Sequence, residues 1–132
     1  MKLEDLVGRR VLIVEDDPVI AATQKMILEG AGCTVLDPAP GVEAALRTIG
    51  AHRVDLALLD VNLGDEKVYP VADALAARGV PFVFLTGYGS ETLPPVHRAR
   101  PCVTKPCDDD DLLAALSDAL HPKGQDELET RT

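Results

Sequence analysis

This sequence contains no apolar run long enough to cross a bilayer. A membrane-spanning helix needs about 20 predominantly apolar residues. The first residues, MKLEDLVGRR, carry acidic side chains where a secretory signal peptide requires an apolar segment. These absences predict a cytoplasmic protein that does not associate with a membrane.

Basic residues and cysteines are also scarce. Lys and Arg number 13 against 22 Asp and Glu, which leaves a net charge of −9 and no basic tract. Because nucleic-acid binding depends on neutralising phosphates with Lys and Arg, this balance argues against direct nucleic-acid binding and favours protein partners. Cys33, Cys102 and Cys107 are odd in number and lack the spacing of zinc ligands. They indicate packing residues rather than a disulfide framework or a structural metal.

The chain does contain enough apolar material for one core. Its 132 residues are 46% hydrophobic, which predicts a single compact domain over residues 1–121. Residues 122–132 are polar and predict a flexible C-terminal tail.

Short apolar segments alternate with amphipathic ones along the chain. The predicted strands are VLIV, CTVL, DLALLDV, VPFVFLT and PCVTK, and a helical pattern follows every strand except the fourth. Strands without strict alternation of polar and apolar residues are typical of a parallel sheet covered on both faces. The pattern therefore predicts a doubly wound α/β fold.

The segment after the fourth strand, GYGSETLPPVHRAR, interrupts this rhythm. Gly87, Gly89, Pro94 and Pro95 oppose a long helix. We expect a loop with at most a short helical turn, so that the fourth helix is short or degenerate.

Reactive side chains stand at the ends of four predicted strands. Glu15 and Asp16 follow the first strand, Asp60 ends the third, Thr86 ends the fourth and Lys105 ends the fifth. In an open parallel sheet the ligand crevice lies at the carboxyl ends of the strands. These residues are therefore expected to converge.

Three crowded carboxylates require a neutralising partner. Two unit charges about 4 Å apart repel by roughly 4 kcal/mol at an effective dielectric of about 20. Mg²⁺ suits such a site, since it takes oxygen ligands and uses one or two carboxylates. Asp60 is then a candidate nucleophile that forms an aspartyl-phosphate, and Lys105 and Thr86 are candidates to bind phosphate oxygens.

The motifs VLIVEDDP, DLALLDVNL, FLTG and VTKP resemble, in order and spacing, the receiver domain of two-component response regulators. The resemblance implies a five-stranded flavodoxin-like sheet in the order 2-1-3-4-5. It also implies that Asp60 accepts a phosphoryl group from a histidine kinase or phosphotransfer protein, and that Thr86 and Lys105 bind the phosphoryl oxygens. The protein would be a stand-alone response regulator that signals through protein contacts or phosphorelay, and not an enzyme that turns over a separate substrate.

The same resemblance implies a set of Mg²⁺ ligands. Asp16 and Asp60 would contribute carboxylates, and Glu15 would act through a metal-bound water. The backbone carbonyl of Asn62 would complete the protein's share of the metal shell.

The resemblance also exposes departures from the family pattern. PFVFLTGYG resembles the FAT-GUY subgroup of single-domain receivers, with Leu85 at the alanine position. Most receivers carry Tyr or Phe three positions before the conserved lysine, where this chain has Cys102. Tyr88 is the candidate to replace that aromatic switch.

Two other interpretations stay open at this point. A phosphate-independent interaction module with a vestigial site is compatible with the weak fourth helix. A Mg²⁺-dependent phosphohydrolase is disfavoured, since such enzymes resemble Asp-x-Asp at the nucleophile and this chain has Asn62 at the second position. Asp17 is interpreted as a helix N-cap. His52, His97 and His121 have no evident partners and receive no role.

Overall fold

The computed structural model describes residues 3–121, and the predicted tail at 122–132 lies outside the described residues. The strands are β1 (Arg10–Val14), β2 (Thr34–Val35), β3 (Leu56–Asp60), β4 (Asn62–Leu63), β5 (Glu66–Lys67), β6 (Phe82–Thr86) and β7 (Cys102–Thr104). The α-helices are α1 (Pro18–Gly30), α2 (Val42–Ala51), α3 (Tyr69–Ala77) and α4 (Asp109–Ala119). None of the helices in this part of the chain has the length and apolar character needed to cross a membrane.

The main sheet is parallel and has the order β2-β1-β3-β6-β7. Because β4 and β5 lie outside it, this is the predicted order 2-1-3-4-5, which is confirmed. Asp60 pairs in register with Leu85, and Thr86 pairs with Thr104. The chain therefore leaves β3, β6 and β7 at the same edge of the sheet.

The sheet is buried on both faces, as its apolar strands predict. All five residues of β3 are buried, and they alternate between two core clusters. Leu56 and Leu58 pack in the cluster that includes residues of α1 and α4, whereas Ala57 and Leu59 pack in the cluster that includes residues of α2 and α3. Burial of each leucine contributes about 2 kcal/mol, so the central strand holds the two helical layers on one sheet.

A small antiparallel hairpin that the sequence did not predict follows β3. Strand β4 pairs with β5, and Gly64 takes a φ of 70° in the turn between them. The Glu66 carboxylate of this hairpin accepts a hydrogen bond from the backbone N–H of Val42 at 3.1 Å. Since the N-cap residue of α2, Gly41, has no side chain to bond this end of the helix, the hairpin supplies the missing cap.

Residues 87–101 connect β6 to β7 without an α-helix. The segment contains two 3-10 turns, Ser90–Thr92 and Pro95–His97. Pro94 has an extended backbone conformation, and neither it nor Pro95 has an N–H to donate along a helix. The prediction of a loop with at most a short helical turn is confirmed.

His97 anchors this connection to the rest of the domain. It is 2% exposed, and its Nε2 lies 2.9 Å from Oδ1 of Asp73 on α3. Its ring stacks on Tyr69 with 5.9 Å between centroids and meets Phe82 and Phe84 edge-on. The interpretation that His97 has no partner is therefore wrong.

His121 also has a partner that the sequence did not indicate. Its Nε2 lies 2.8 Å from Oδ2 of Asp5, in the 3-10 helix Leu3–Leu6. The two residues are 116 positions apart, so no local pattern connects them. This contact joins the end of α4 to the first described turn of the chain.

Candidate acidic site at the carboxyl edge of the sheet

Three carboxylates meet at the carboxyl edge of the sheet. Glu15 and Asp16 follow β1, and Asp60 is the last residue of β3. Each offers a carboxylate oxygen, and these oxygens all lie within 4.8 Å of one another. Glu15 and Asp60 are 3% and 5% exposed, whereas Asp16 is exposed. The predicted convergence of the acids is thus present, with two carboxyls inside and one open to solvent.

Glu15 is the most perturbed of these groups. Its Oε1 accepts a hydrogen bond from the backbone N–H of Asp17 at 3.1 Å, whereas no hydrogen-bond donor within residues 3–121 reaches its buried Oε2. Burial, reinforced by the neighbouring Asp60 carboxyl, raises the pKa of Glu15 to about 8. Without a cation the neutral form therefore predominates at neutral pH.

Asp17 has a different role from the two acids that precede it. Its carboxylate accepts hydrogen bonds from the backbone N–H groups of Val19 at 2.9 Å and Ile20 at 3.3 Å. Pro18 occupies the first turn of α1, where its missing N–H leaves no bond unmade. The predicted N-cap is confirmed, and Asp17 stands outside the carboxylate cluster.

Lys105 lies next to the phosphoacceptor candidate. Its Nζ is 3.2 Å from Oδ2 of Asp60, although the two residues are 45 positions apart. The backbone N–H of Lys105 donates to the Thr86 carbonyl at 2.7 Å, which extends the pairing of β7 with β6 by one bond. The register of β7 on β6 therefore positions the Lys105 ammonium group beside the buried Asp60 carboxylate.

Thr86 and Asn62 flank Asp60. Thr86 is 2% exposed, and its Oγ1 accepts a hydrogen bond from the backbone N–H of Tyr88 at 3.2 Å. The backbone N–H of Asn62 donates to Oδ1 of Asp60 at 3.3 Å. Two roles stay predictions: a hydrogen bond from the Thr86 hydroxyl to a phosphoryl oxygen, and metal binding by the Asn62 carbonyl.

The two candidate switch residues differ in burial. Cys102 is partly buried against the core cluster on the α2/α3 side, and burial, with the nearby Glu91 carboxylate, raises the pKa of its thiol. Tyr88 is 67% exposed. Their switch roles stay predictions.

Sequence reasoning missed Lys67 near this site. Its Nζ donates a hydrogen bond to Oδ1 of Asn62, across the hairpin from β5 to β4. The pair Gly64-Asp65 between two short segments is a turn signal that indicates a hairpin, and it was the available clue.

The comparisons with known proteins agree with this geometry. Residues 11–117 match the model of the response regulator receiver domain. Among solved structures, SdrG from Sphingomonas melonis Fr1 is 40% identical with a TM-score of 0.75, over 91% of this chain and 99% of that one.

Two curated relatives are longer proteins. PdtaR, a transcriptional regulatory protein of Mycobacterium tuberculosis, is 29% identical over 120 residues, which are 86% of this chain and 58% of that protein. The phyllosphere-induced regulator PhyR of Methylorubrum extorquens is 32% identical over 115 residues, which are 83% of this chain and 43% of PhyR. The chain thus spans about half the length of these relatives. With the family model matched over most of its length and the acidic edge in place, this chain belongs to the response regulator receiver domain family.

Proposed function

We propose that Asp60 accepts a phosphoryl group from a histidine kinase or a phosphotransfer protein, and that the protein acts as a stand-alone response regulator. The observation that carries this proposal is the Asp60 carboxylate, buried among two further acids and 3.2 Å from the Lys105 ammonium. Receiver domains interact with such phosphodonors and with downstream partners. Output here is a protein contact or a phosphorelay.

The donor set fits Mg²⁺, which receiver domains bind through an acidic pocket. Carboxylate oxygens are the ligands that this cation prefers, and in the described part of the chain no hydrogen-bond donor reaches the buried Oε2 of Glu15. Asp16 and Asp60 would bind the ion directly, Glu15 would act through a metal-bound water, and the Asn62 carbonyl would complete the protein ligands. When bound, the ion neutralises the acids and the charge of the phosphoryl group.

Asp60, Lys105 and Thr86 have different roles in phosphoryl transfer. An Asp60 oxygen forms the new P–O bond while the P–N bond to the donor imidazole breaks and the leaving ring takes the electron pair. Lys105, already beside Asp60, binds a phosphoryl oxygen as a point charge. The Thr86 hydroxyl, which accepts one hydrogen bond from Tyr88, has its own proton to donate to another.

Mass spectrometry of the intact protein after treatment with acetyl phosphate and Mg²⁺ tests the assignment. We expect one phosphoryl group on the parent protein and none on Asp60→Asn or in excess EDTA. Asp118→Asn, which removes an exposed acid on α4, is the matched control and should label normally. Labelling of Asp60→Asn, or labelling that persists in EDTA, contradicts the proposal.

A second candidate is a phosphate-independent interaction module. The observations that favour it are the absence of an α-helix in the described segment 87–101 and the cysteine at the usual switch position. In that case the protein would bind its partner equally well before and after treatment with acetyl phosphate.

Signal transmission on phosphorylation is assigned to Tyr88. Its backbone N–H contacts the Thr86 hydroxyl, so movement of Thr86 toward a phosphoryl group breaks or shifts this bond. Beryllofluoride with Mg²⁺ should slow amide exchange across residues 87–100 in the parent protein. Tyr88→Ala keeps this backbone N–H and should still label at Asp60, but it should lose phosphate-dependent partner binding. An exchange pattern that beryllofluoride leaves unchanged in the parent would rule out the switch. Membership of the FAT-GUY subgroup stays a prediction.

A further inference from the structure

A second recess adjoins the acidic site. It is a cleft of about 670 Å³ between the connection that follows β3 and the segment between β6 and β7. Asn62 and Thr86 belong to its lining, whereas Glu15, Asp16, Asp60 and Lys105 do not. The cleft is therefore a neighbour of the phosphoacceptor site rather than part of it.

The charged lining residues of the cleft are all basic. Lys67 and Arg98 contribute to its wall, and no acidic residue among residues 3–121 does. This bias is contrary to a chain with a net charge of −9. The local surface thus attracts an anion although the whole protein repels one.

Neither cation is neutralised within residues 3–121. Lys67 Nζ donates to the neutral Oδ1 of Asn62, and Arg98 Nε donates to the Leu93 carbonyl at 3.0 Å. Neither lies within ion-pair distance of a carboxylate in the described part of the chain. The terminal nitrogens of Arg98 can therefore donate bidentate hydrogen bonds to the carboxylate of a ligand.

The rest of the cleft is suited to apolar side chains. Val61 and Leu93 belong to its lining but are buried, so the accessible aliphatic surface of the wall comes from Pro94 and Pro95. Val96, which follows these prolines, is 74% exposed. Apolar surface next to two cations favours binding of a peptide segment in which an acidic residue is adjacent to an aliphatic one.

We infer that this cleft is a docking site for an extended acidic peptide segment of a partner protein, with a carboxylate between Lys67 and Arg98 and an aliphatic side chain against Pro94 and Pro95. A nucleic acid fits less well, since two cations neutralise few phosphates and the net charge of the chain opposes the remainder. Docking of this peptide does not require phosphorylation of Asp60. Failure of the docking experiment can therefore be distinguished from failure of the proposed phosphoacceptor function.

Selection of random dodecapeptides displayed on phage, carried out in parallel on the full chain and on Arg98→Glu, tests the inference. The parent should enrich sequences that place Asp or Glu beside Leu, Ile or Val, and Arg98→Glu should lose this preference. A synthetic copy of a selected peptide should bind Arg98→Ala and Lys67→Ala roughly fivefold more weakly than the parent, as expected for one exposed ion pair.

Matched variants separate loss of charge from loss of structure. Arg98→Lys keeps the cation and should retain most of the affinity, whereas Arg47→Ala, which removes an exposed cation of α2 paired with Glu43, should change nothing. Asp60→Asn should bind the peptide as the parent does. Amide shifts on titration should centre on Thr92, Leu93 and Arg98.

Three results would overturn the inference. Peptides without acidic enrichment, or equal affinity for Arg98→Glu, would exclude recognition by charge. Displacement of the bound peptide by ATP at equal concentration would assign the cleft to a nucleotide. A dimer detected by light scattering that the peptide dissociates would assign the cleft to a second copy of this chain.

Discussion

The two connections that flank the acidic site show different ways to hold a loop. The connection from β1 passes Glu15 and enters α1 directly, where Asp17 bonds two backbone N–H groups of the first turn. The segment between β6 and β7 has only short 3-10 turns. It is held by Leu93, which is buried in the core, and by His97, whose ring is buried among three aromatic side chains. The first connection is specified by local hydrogen bonds, the second by contacts with residues distant in sequence.

This difference bears on function. A helix start bonded by its own cap keeps Glu15 and Asp16 in one place, which suits a metal site. A segment attached through two buried side chains, Leu93 and His97, can change its conformation without breaking a helix. This suits a surface that responds to phosphorylation or to a partner. Experiments that remove each attachment in turn test the contrast.

The largest expected effect concerns Glu15 in the rigid connection. Because burial raises its pKa from 4.5 to about 8, the folded metal-free protein retains a proton that the unfolded chain releases above pH 4.5. The stability contributed by this group is fully present below pH 4.5 and is lost as the pH rises through about 8. The loss is on the order of a few kcal/mol.

Glu15→Gln imitates the protonated carboxyl and should remove this pH dependence. Urea denaturation in EDTA across that pH range measures it, and the variant should exceed the parent in stability above pH 8. Asp118→Asn should show the same dependence of the free energy of unfolding on pH as the parent. Parallel stability curves for Glu15→Gln and the parent would show that Glu15 does not hold the proton.

The next largest effect belongs to His97. His97→Ala removes a buried ring and leaves a cavity beside Tyr69, Phe82 and Phe84, which should lower the free energy of unfolding by about 3 kcal/mol. Amide exchange should accelerate in residues 87–101 while the first turn of α1 stays protected. His97→Phe, which keeps the ring and loses the Asp73 bond, should recover part of the stability.

The exposed His52 is the control for this experiment, and His52→Ala should change neither stability nor exchange. If His97→Ala leaves amide exchange in residues 87–101 no faster than in the parent, other contacts hold the segment and the contrast between the two connections fails.

The smallest effect is expected at Asp17. Asp17→Ala removes the N-cap of α1 and should lower the free energy of unfolding by about 1 kcal/mol. Exchange should accelerate at Val19 and Ile20, whose N–H groups lose their acceptor, and stay unchanged in residues 87–101. The exposed Asp118→Ala is the control. Faster exchange in the distant segment would mean that the two connections are coupled through the sheet.

Much of the fold and of the site could be predicted because the signals are local. Apolar runs and helical patterns predicted the α/β alternation, and the resemblance to receiver domains implied the sheet order. The position of each strand end predicted that Glu15, Asp16, Asp60 and Lys105 converge. The N-cap at Asp17 followed from a short acidic side chain directly before Pro18. The contacts that the sequence did not predict join residues that are distant in sequence. Examples are the hydrogen bond of Glu66 with the first turn of α2 and that of His97 with Asp73.

The sequence by itself determined the α/β alternation, the carboxylate edge and the absence of a long helix after β6, since these depend on strand periodicity, residue order and the conformational limits of Gly and Pro. The tertiary structure decided which carboxyl has a raised pKa, which histidine is buried and that Lys67 and Arg98 line the same cleft. These properties depend on burial and on distances between remote residues. The sequence lists the groups involved, but only packing sets their dielectric surroundings and their neighbours.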